Sequence, residues 1–354
     1  MSKTWIVFLL VALMAGATAG VVGSITTEAY LARYTTSLEQ EGTPPRLSDE
    51  RTRSASNTYQ ESLDRVRDRV LPSVVAWHRR LPETVSVLRG SYRSSSSLGS
   101  GAIISSDGWV LTSRDVFRTS SADQMVAVVG TRVYEVIEAV EDPGTDAMLV
   151  KLDATNLFVL SFGDASALRV GEQVFVADRF DRFAPATVHQ TAPEAVLATT
   201  SEDLDVLLPL ALSVDSIVGA PVVNSFGDLV GYLEASGHLR PLDWVVPAIR
   251  RVLKGESIVR PRLGVDVVML DQAVGHEAFG SGALVTSLPA LGTPARLAEL
   301  QTNDVILRVA GRDIGGATSI ARVLLDYKPG DVVMLNVRRD GETFDVDVVL
   351  DERN

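Results

Sequence analysis

The sequence predicts a mainly β protein, two antiparallel β-barrels packed side by side and followed by a small α+β domain. Three observations predict it. Short apolar runs rich in β-branched residues fall into two clusters between Ser73 and Glu234, with little helical periodicity among them. Turn residues such as Ser106-Asp107-Gly108 and Phe226-Gly227-Asp228 separate the runs. After a helical stretch at Pro241–Leu253, ended by Gly255, further strand runs alternate with two short helical segments. The length, 354 residues, suits about two domains at roughly 150 residues each.

Residues 1–27 carry no charge between Lys3 and Glu28, and Trp5–Ile25 is apolar or small throughout. As a helix it is long enough to cross a hydrocarbon core of ~30 Å. Trp5–Met14 also makes a signal-peptide apolar region, with Ala17-Thr18-Ala19 as its small-residue cleavage site. Val21, Val22 and Ile25 extend the apolar run past that site and favour an uncleaved anchor; cleavage stays open. Lys3 and the start amine hold the N-terminus in the cytoplasm. Either reading exports the remainder, so an extracytoplasmic chain is expected, held in the cytoplasmic membrane by a single pass or secreted after cleavage.

Residues 28–57, polar and containing Thr43-Pro44-Pro45, read as a linker. The first large domain spans 58–255. Tyr59, Leu63, Val66 and Val70 have helical spacing that Pro72 closes. SVVAWHRR, GSGAIISS, WVLTS, MVAVVG, RVYEVIEAV and AMLVKLDA form the first strand cluster. QVFVADRF, PATVHQT, AVLATTS, DVLLPLAL, APVVNS and DLVGYLE form the second. The second domain spans 260–351, with strand runs ALVTSL, DVILRVAG, VVMLNVRR and TFDVDVVL and helical segments near Pro294–Leu300 and Thr318–Tyr327.

Composition narrows the chemistry. The formal net charge is -12 and no region is basic, which excludes a general nucleic-acid binder. There is no Cys, hence no disulfide, thiolate nucleophile or Cys-ligated metal. The four histidines, His78, His189, His238 and His276, have no metal-ligand spacing, so no metal and no cofactor are expected.

Several ordered motifs carry a family resemblance. Gly99-Ser100-Gly101-Ala102-Ile103-Ile104 is followed by Ser106-Asp107-Gly108-Trp109-Val110-Leu111-Thr112, and then by Asp142-Pro143-Gly144-Thr145-Asp146-Ala147. Phe162-Gly163-Asp164-Ala165-Ser166 precedes Leu168-Arg169-Val170-Gly171-Glu172. Gly219-Ala220-Pro221-Val222-Val223-Asn224 precedes Gly227-Asp228-Leu229-Val230-Gly231. Over residues 60–351 the chain resembles the HtrA/Deg family of extracytoplasmic proteases, which implies a trypsin-like double β-barrel followed by a PDZ domain.

The family's chemistry needs a hydroxyl nucleophile, an imidazole to take its proton and a carboxylate to orient the imidazole. By the resemblance, Asp115 stands at the histidine position, after Thr112-Ser113-Arg114. Val218 stands at the nucleophile, within Ser216-Ile217-Val218-Gly219-Ala220-Pro221. Only Asp146 matches its triad position. The three are vestigial, and no catalytic residue is expected. Ser216 replaces a family Gly, and the β-branched Ile217 and Val218 resist unusual backbone angles, so the oxyanion donors are expected to be misplaced as well. If Asp115 and Asp146 lie close together, either one carboxylate stays protonated or a cation such as Arg114 intervenes.

Arg262-Leu263-Gly264-Val265 resembles the carboxylate-binding loop of PDZ domains, and Asp266–Val268 is the strand on which a peptide adds. Ile320, Val323 and Leu324 share one helix face and either line the peptide side-chain pocket or pack as core. The resemblance implies an exported pseudoprotease that binds peptide C-termini or unfolded segments through its PDZ domain without cutting them, as a homotrimer. Two other readings stay open: an active serine endopeptidase with displaced catalytic residues, and an inactive regulatory subunit in a mixed oligomer with an active relative.

Overall fold

The computed structural model describes residues 60, 63–82, 91–178, 183–189, 199–202, 204, 207–212, 217–270, 280–287, 290–315 and 318–352. The expected anchor or signal segment, 1–27, and the linker, 28–57, lie outside them. Among the described residues no helix is long and apolar enough to cross a membrane. The chain divides into two units, Met1–Leu63 and Asp64–Asn354, and the architecture below is that of the second.

A helix through 64–70 runs into a 3-10 turn, Leu71–Ser73, that takes Pro72 in its first turn, where a missing N–H costs nothing. The first barrel then closes on six antiparallel strands: β1 (Val74–Arg79), β2 (Gly99–Ile103), β3 (Trp109–Ser113), β4 (Met125–Val129), β5 (Arg132–Glu141) and β6 (Ala147–Leu152). Their order around the barrel is β1-β2-β3-β6-β5-β4. Trp77, Ile103, Val110, Met125, Val150 and Leu152 fill it. β2 and β3 are buried along their whole length, which is why they read as continuous small or apolar runs.

The second barrel uses β7 (Gln173–Ala177) and β8 (Phe183–Val188). After β9 (Thr199–Thr200) it resumes with β10 (Leu210–Leu212), β11 (Pro221–Val223), β12 (Leu229–Leu233) and β13 (Leu239–Pro241). The sheet order is β10-β8-β7-β11-β12-β13. A bridge between Leu208 and Leu239, with two hydrogen bonds of 2.9 Å, joins the two edges. The helix after it differs from expectation: Pro241 ends β13, and the helix is Val246–Leu253, with Pro247 in its first turn and Gly255 just beyond its end.

The two barrels meet at Gly219, whose φ is +75°. A Cβ there would stand 2.2 Å from Thr112 Oγ1 and 2.4 Å from the Ser100 carbonyl. Only glycine satisfies both the left-handed backbone and that approach.

The C-terminal domain holds β14 (Pro261–Arg262), β15 (Asp266–Met269), β16 (Ala283–Val285), β17 (Val305–Val309), β18 (Arg312–Asp313), β19 (Val332–Arg339), β20 (Glu342–Val349) and β21 (Asp351–Glu352). Two short helices, Pro294–Leu297 and Ile320–Leu324, accompany them; Thr293 and Ser319 cap their N-termini with side-chain oxygens. The main sheet runs β20-β19-β17-β16-β15-β9. Its last member is a correction. The run AVLATTS reads as a second-barrel strand, yet Thr199 and Thr200 pair antiparallel with Val267 and Asp266 of the C-terminal domain. A two-residue strand carries no period of its own, so the long-range partner decides its sheet.

One buried titratable group sets a pH dependence. His78, on β1, is 1% exposed, with its Nδ1 3.4 Å from Ser96 Oγ. Burial pulls its imidazole below the usual pKa of 6.5, against the opposing effects of Ser96 and of the Asp178 charge. As pH falls the unfolded chain therefore takes up this proton first. The contribution is complete above about pH 6.5 and is lost as pH falls below it toward the folded value. The melting temperature is expected to drop between pH 7 and pH 5.5, with a shallower slope in His78→Gln. Equal slopes in both proteins would remove His78 as the cause.

Candidate functional site

β3 delivers Ser113 to the face between the barrels, and the 3-10 turn Arg114–Phe117 continues from it. Ser113 Oγ accepts the Asp115 N–H at 3.2 Å, which fixes the turn. Asp146 precedes β6, and its carbonyl accepts the Arg114 N–H at 2.7 Å across the sheet. The Asp146 and Asp115 carboxylates take separate arginines: Arg114 Nη2 lies 2.5 Å from Asp146 Oδ1, and Arg118 Nη1 lies 3.5 Å from Asp115 Oδ1. Arg114 also holds Glu141 at 2.7 Å. The bond to Glu141, helped by the charges of Asp146 and Asp115, raises the Arg114 pKa despite partial desolvation. A guanidinium thus occupies the Asp146 carboxylate.

Val218 sits in the turn between Ile217 and Gly219, half-buried against the first-barrel core that includes Val116 and Phe117. Its carbonyl accepts the Ser100 N–H at 2.9 Å, and the Gly219 N–H is spent on the Leu233 carbonyl at 2.7 Å. The Val218 side chain thus packs as hydrocarbon against the first barrel. Ser216, the other residue of the expected oxyanion loop, lies outside the described residues. The histidines stand elsewhere: His78 inside the first barrel beside Tyr92, His189 exposed after β8, and His238 on a turn against the Ser236 carbonyl. His276 lies outside the described residues.

A buried polar chain leads away from this point. Ser113 Oγ donates to Glu234 Oε2 at 3.3 Å, and Arg240 Nε donates to Glu234 Oε1 at 3.0 Å. Arg240 Nη1 then donates to the Leu204 carbonyl at 2.7 Å. Burial raises the Glu234 pKa, against the pull of Arg240. Beside it, Arg260 forms a bidentate pair with Asp142, with Nε 2.9 Å from Oδ1, and donates to the Trp244 carbonyl at 3.2 Å. Gly144, four residues before Met148, packs under both Arg260 and Leu204: its Cβ would stand 3.0 Å from each. The loop bearing Asp146 therefore supports the start of the C-terminal domain.

The loop Arg262–Val265 is the second candidate site. Leu263 is fully buried and its carbonyl accepts the Ala295 N–H at 2.8 Å. Gly264 has φ +80° and backs onto Thr293, whose Cβ would stand 2.7 Å from an added Cβ. Arg262 pairs through β14 with Asp351 and lies half-buried beside Gly264. The Leu263 and Gly264 N–H groups both donate to Glu202 Oε1 at 2.6 Å, and the Val265 N–H donates to Ser201 Oγ at 3.2 Å. Ile320, Val323 and Leu324 all belong to the domain core. Leu204 clusters with Ala321 of this helix, with Leu325 just past its end and with Trp244. Arg322 stacks 5.3 Å over the Trp244 ring and donates to the Asp243 carbonyl at 3.2 Å. Ser201, Glu202, Leu204, Arg240 and Arg260 were invisible to motif reading. One signal was present: Arg240 lies between Leu239 and Pro241 in a wholly buried strand.

A trypsin-like peptidase domain profile matches residues 99–231, and a PDZ domain profile matches residues 261–350. A probable periplasmic serine endoprotease, DegP-like, from Pseudomonas putida is 28% identical over 295 residues, covering 77% of this chain and 60% of the relative. The chain therefore spans about 60% of the length of such relatives. The serine endoprotease DegS of Haemophilus influenzae is 23% identical over 302 residues, covering 79% of this chain and 85% of the relative. Among solved structures, an HtrA-type protease, AlgW, with a decapeptide superposes with a TM-score of 0.59 at 18% identity, covering 82% of this chain and 99% of that one. A serine endoprotease from Yersinia pestis gives 0.55 at 20% identity, covering 82% and 98%.

Proposed function

Because this chain is a member of the HtrA/Deg family, a trypsin-like peptidase domain followed by a PDZ domain, we propose that it is an exported pseudoprotease that binds peptides or unfolded segments through its PDZ domain and does not cut them. One observation carries the reading: Val218, at the nucleophile position, packs into hydrocarbon while Arg114 holds the remaining triad carboxylate, Asp146. Losing the serine or the histidine alone costs about 10⁶ in turnover in a related triad. Here both are replaced. The periplasmic relatives support an extracytoplasmic address, and the apolar segment Trp5–Ile25 supports a membrane tether. The PDZ loop keeps the backbone donors that a carboxylate needs.

The test is direct. Fluorescent unfolded casein is incubated with the full chain, with and without a serine-directed phosphonate. Hydrolysis is expected at the buffer rate with no phosphonate adduct by mass spectrometry. Phosphonate-sensitive cleavage by the purified chain would overturn the reading in favour of displaced catalytic residues.

A further inference from the structure

We propose that the PDZ groove is closed by the chain's own segment 199–202, with the Glu202 side chain standing in for a peptide C-terminal carboxylate, so that an outside peptide binds only by displacing it. The proposal rests on the peptide-binding reading above and adds what regulates that site.

One segment engages both the strand edge and the loop donors of the groove. Thr199 and Thr200 add to β15 as an antiparallel strand, the register a bound peptide would take. Ser201 continues the ladder, its N–H donating to the Val265 carbonyl at 2.8 Å while its Oγ accepts the Val265 N–H at 3.2 Å. A bound peptide would end at this point with a carboxylate. Here the chain continues, and the Glu202 side chain turns back into the loop. Its Oε1 accepts from the Leu263 N–H, the Gly264 N–H and Ser201 Oγ, each at 2.6 Å. These are charge-assisted bonds at short range, the stronger class. Ordinary packing of a barrel loop on a neighbouring domain would leave either the strand edge or the backbone donors unused. This segment uses both, in the order a C-terminus would.

The segment is also fixed from its far side. Arg240 holds the Leu204 carbonyl, and the Leu204 side chain lies with Trp244, Ala321 and Leu325. Held in the same chain, this segment competes with an outside peptide as an intramolecular ligand. An outside peptide then binds with its intrinsic dissociation constant divided by the fraction of open groove. The wild-type chain is therefore a weak binder by construction, and release of Glu202 is the step that makes it a strong one.

The test uses a fluorescein-labelled decapeptide ending in Val, as free acid and as C-terminal amide, with the full wild-type chain, Glu202→Gln and Glu202→Ala. Amide hydrogen exchange at Leu263 and Gly264 is read in parallel. The acid peptide is expected to bind both variants at least ten-fold more tightly than wild type, the amide is expected to gain nothing, and exchange at the two amides is expected to accelerate. Equal binding of the acid peptide by all three proteins, with exchange unchanged, would overturn the internal ligand. Faster exchange in the variants with no preference for acid over amide would instead uphold the internal ligand and overturn the peptide-binding reading. Two substitutions guard against Gln retaining part of the bond, and circular dichroism checks that each variant is folded.

Discussion

An Asp115→His, Val218→Ser double variant is expected to hydrolyse unfolded casein no faster than buffer, although with Asp146 it completes a nominal triad. The structure supplies two reasons. Asp146 is already taken by Arg114 at 2.5 Å, so a new imidazole at 115 would face an occupied carboxylate and a fixed positive charge that lowers its basicity. A serine at 218 would enter a position packed against the first-barrel core, where a hydroxyl costs desolvation and is not aimed at a substrate. Adding Arg114→Asn, Ser216→Gly, Ile217→Asn and Ala220→Gly should give measurable, phosphonate-sensitive hydrolysis. It frees the carboxylate and restores the backbone freedom that oxyanion donors need. Each added glycine costs up to about 1 kcal/mol of stability, so thermal unfolding must be followed alongside. Robust activity from the double variant alone would show that neither Arg114 nor the loop stands in the way.

Asp142→Ala should be strongly destabilising. The Asp142 side chain is wholly buried and accepts from Arg260 twice, from the Gly144 N–H at 3.1 Å and from Thr145 Oγ1 at 2.7 Å. Its removal leaves a guanidinium in a site with 6% side-chain exposure, without the carboxylate that pairs with it. Breaking one side of such a pair costs about 3–5 kcal/mol, more than the pair itself contributes, because the partner's desolvation is no longer compensated. Urea unfolding followed by tryptophan fluorescence measures it. Asp142→Leu combined with Arg260→Met should recover part of the loss, since it removes the uncompensated charge but leaves the Gly144 N–H, Thr145 Oγ1 and Trp244 carbonyl without these partners. A loss below 1 kcal/mol in Asp142→Ala would mean that Arg260 swings into solvent and the junction between the domains opens.

Legibility followed the range of the interaction that decides each element. β3 and β19 have the bounds of the runs WVLTS and VVMLNVRR, because strand pattern and flanking turns are local signals. The grouping of Asp115, Asp146 and Val218 came from the family resemblance rather than from local pattern. Thr199–Thr200 was assigned to the wrong sheet, since two threonines say nothing about which edge they meet. Glu202 reads in sequence as one acid in an acidic turn, Glu202-Asp203-Leu204-Asp205, and only its distance to Leu263 and Gly264 gives it a role. Ile320 and Val323 share an apolar face, as their spacing predicts. Which face turns to the core and which to a ligand is set by tertiary packing, and Ala321 and Leu325 took the outer one.

The two-residue strand β9 has a consequence for solubility. Without it, β15 would end the sheet and offer four residues of unpaired backbone, Asp266–Met269, as a template for any extended chain nearby. Capping the sheet with two threonines replaces a sticky border by one too short to recruit a neighbour. Were the cap to lift, that border would be exposed until another extended chain covered it. At high protein concentration the nearest extended segment is the lifted strand of another copy, and mutual exchange of β9 between chains would produce head-to-head dimers without any new contact being invented.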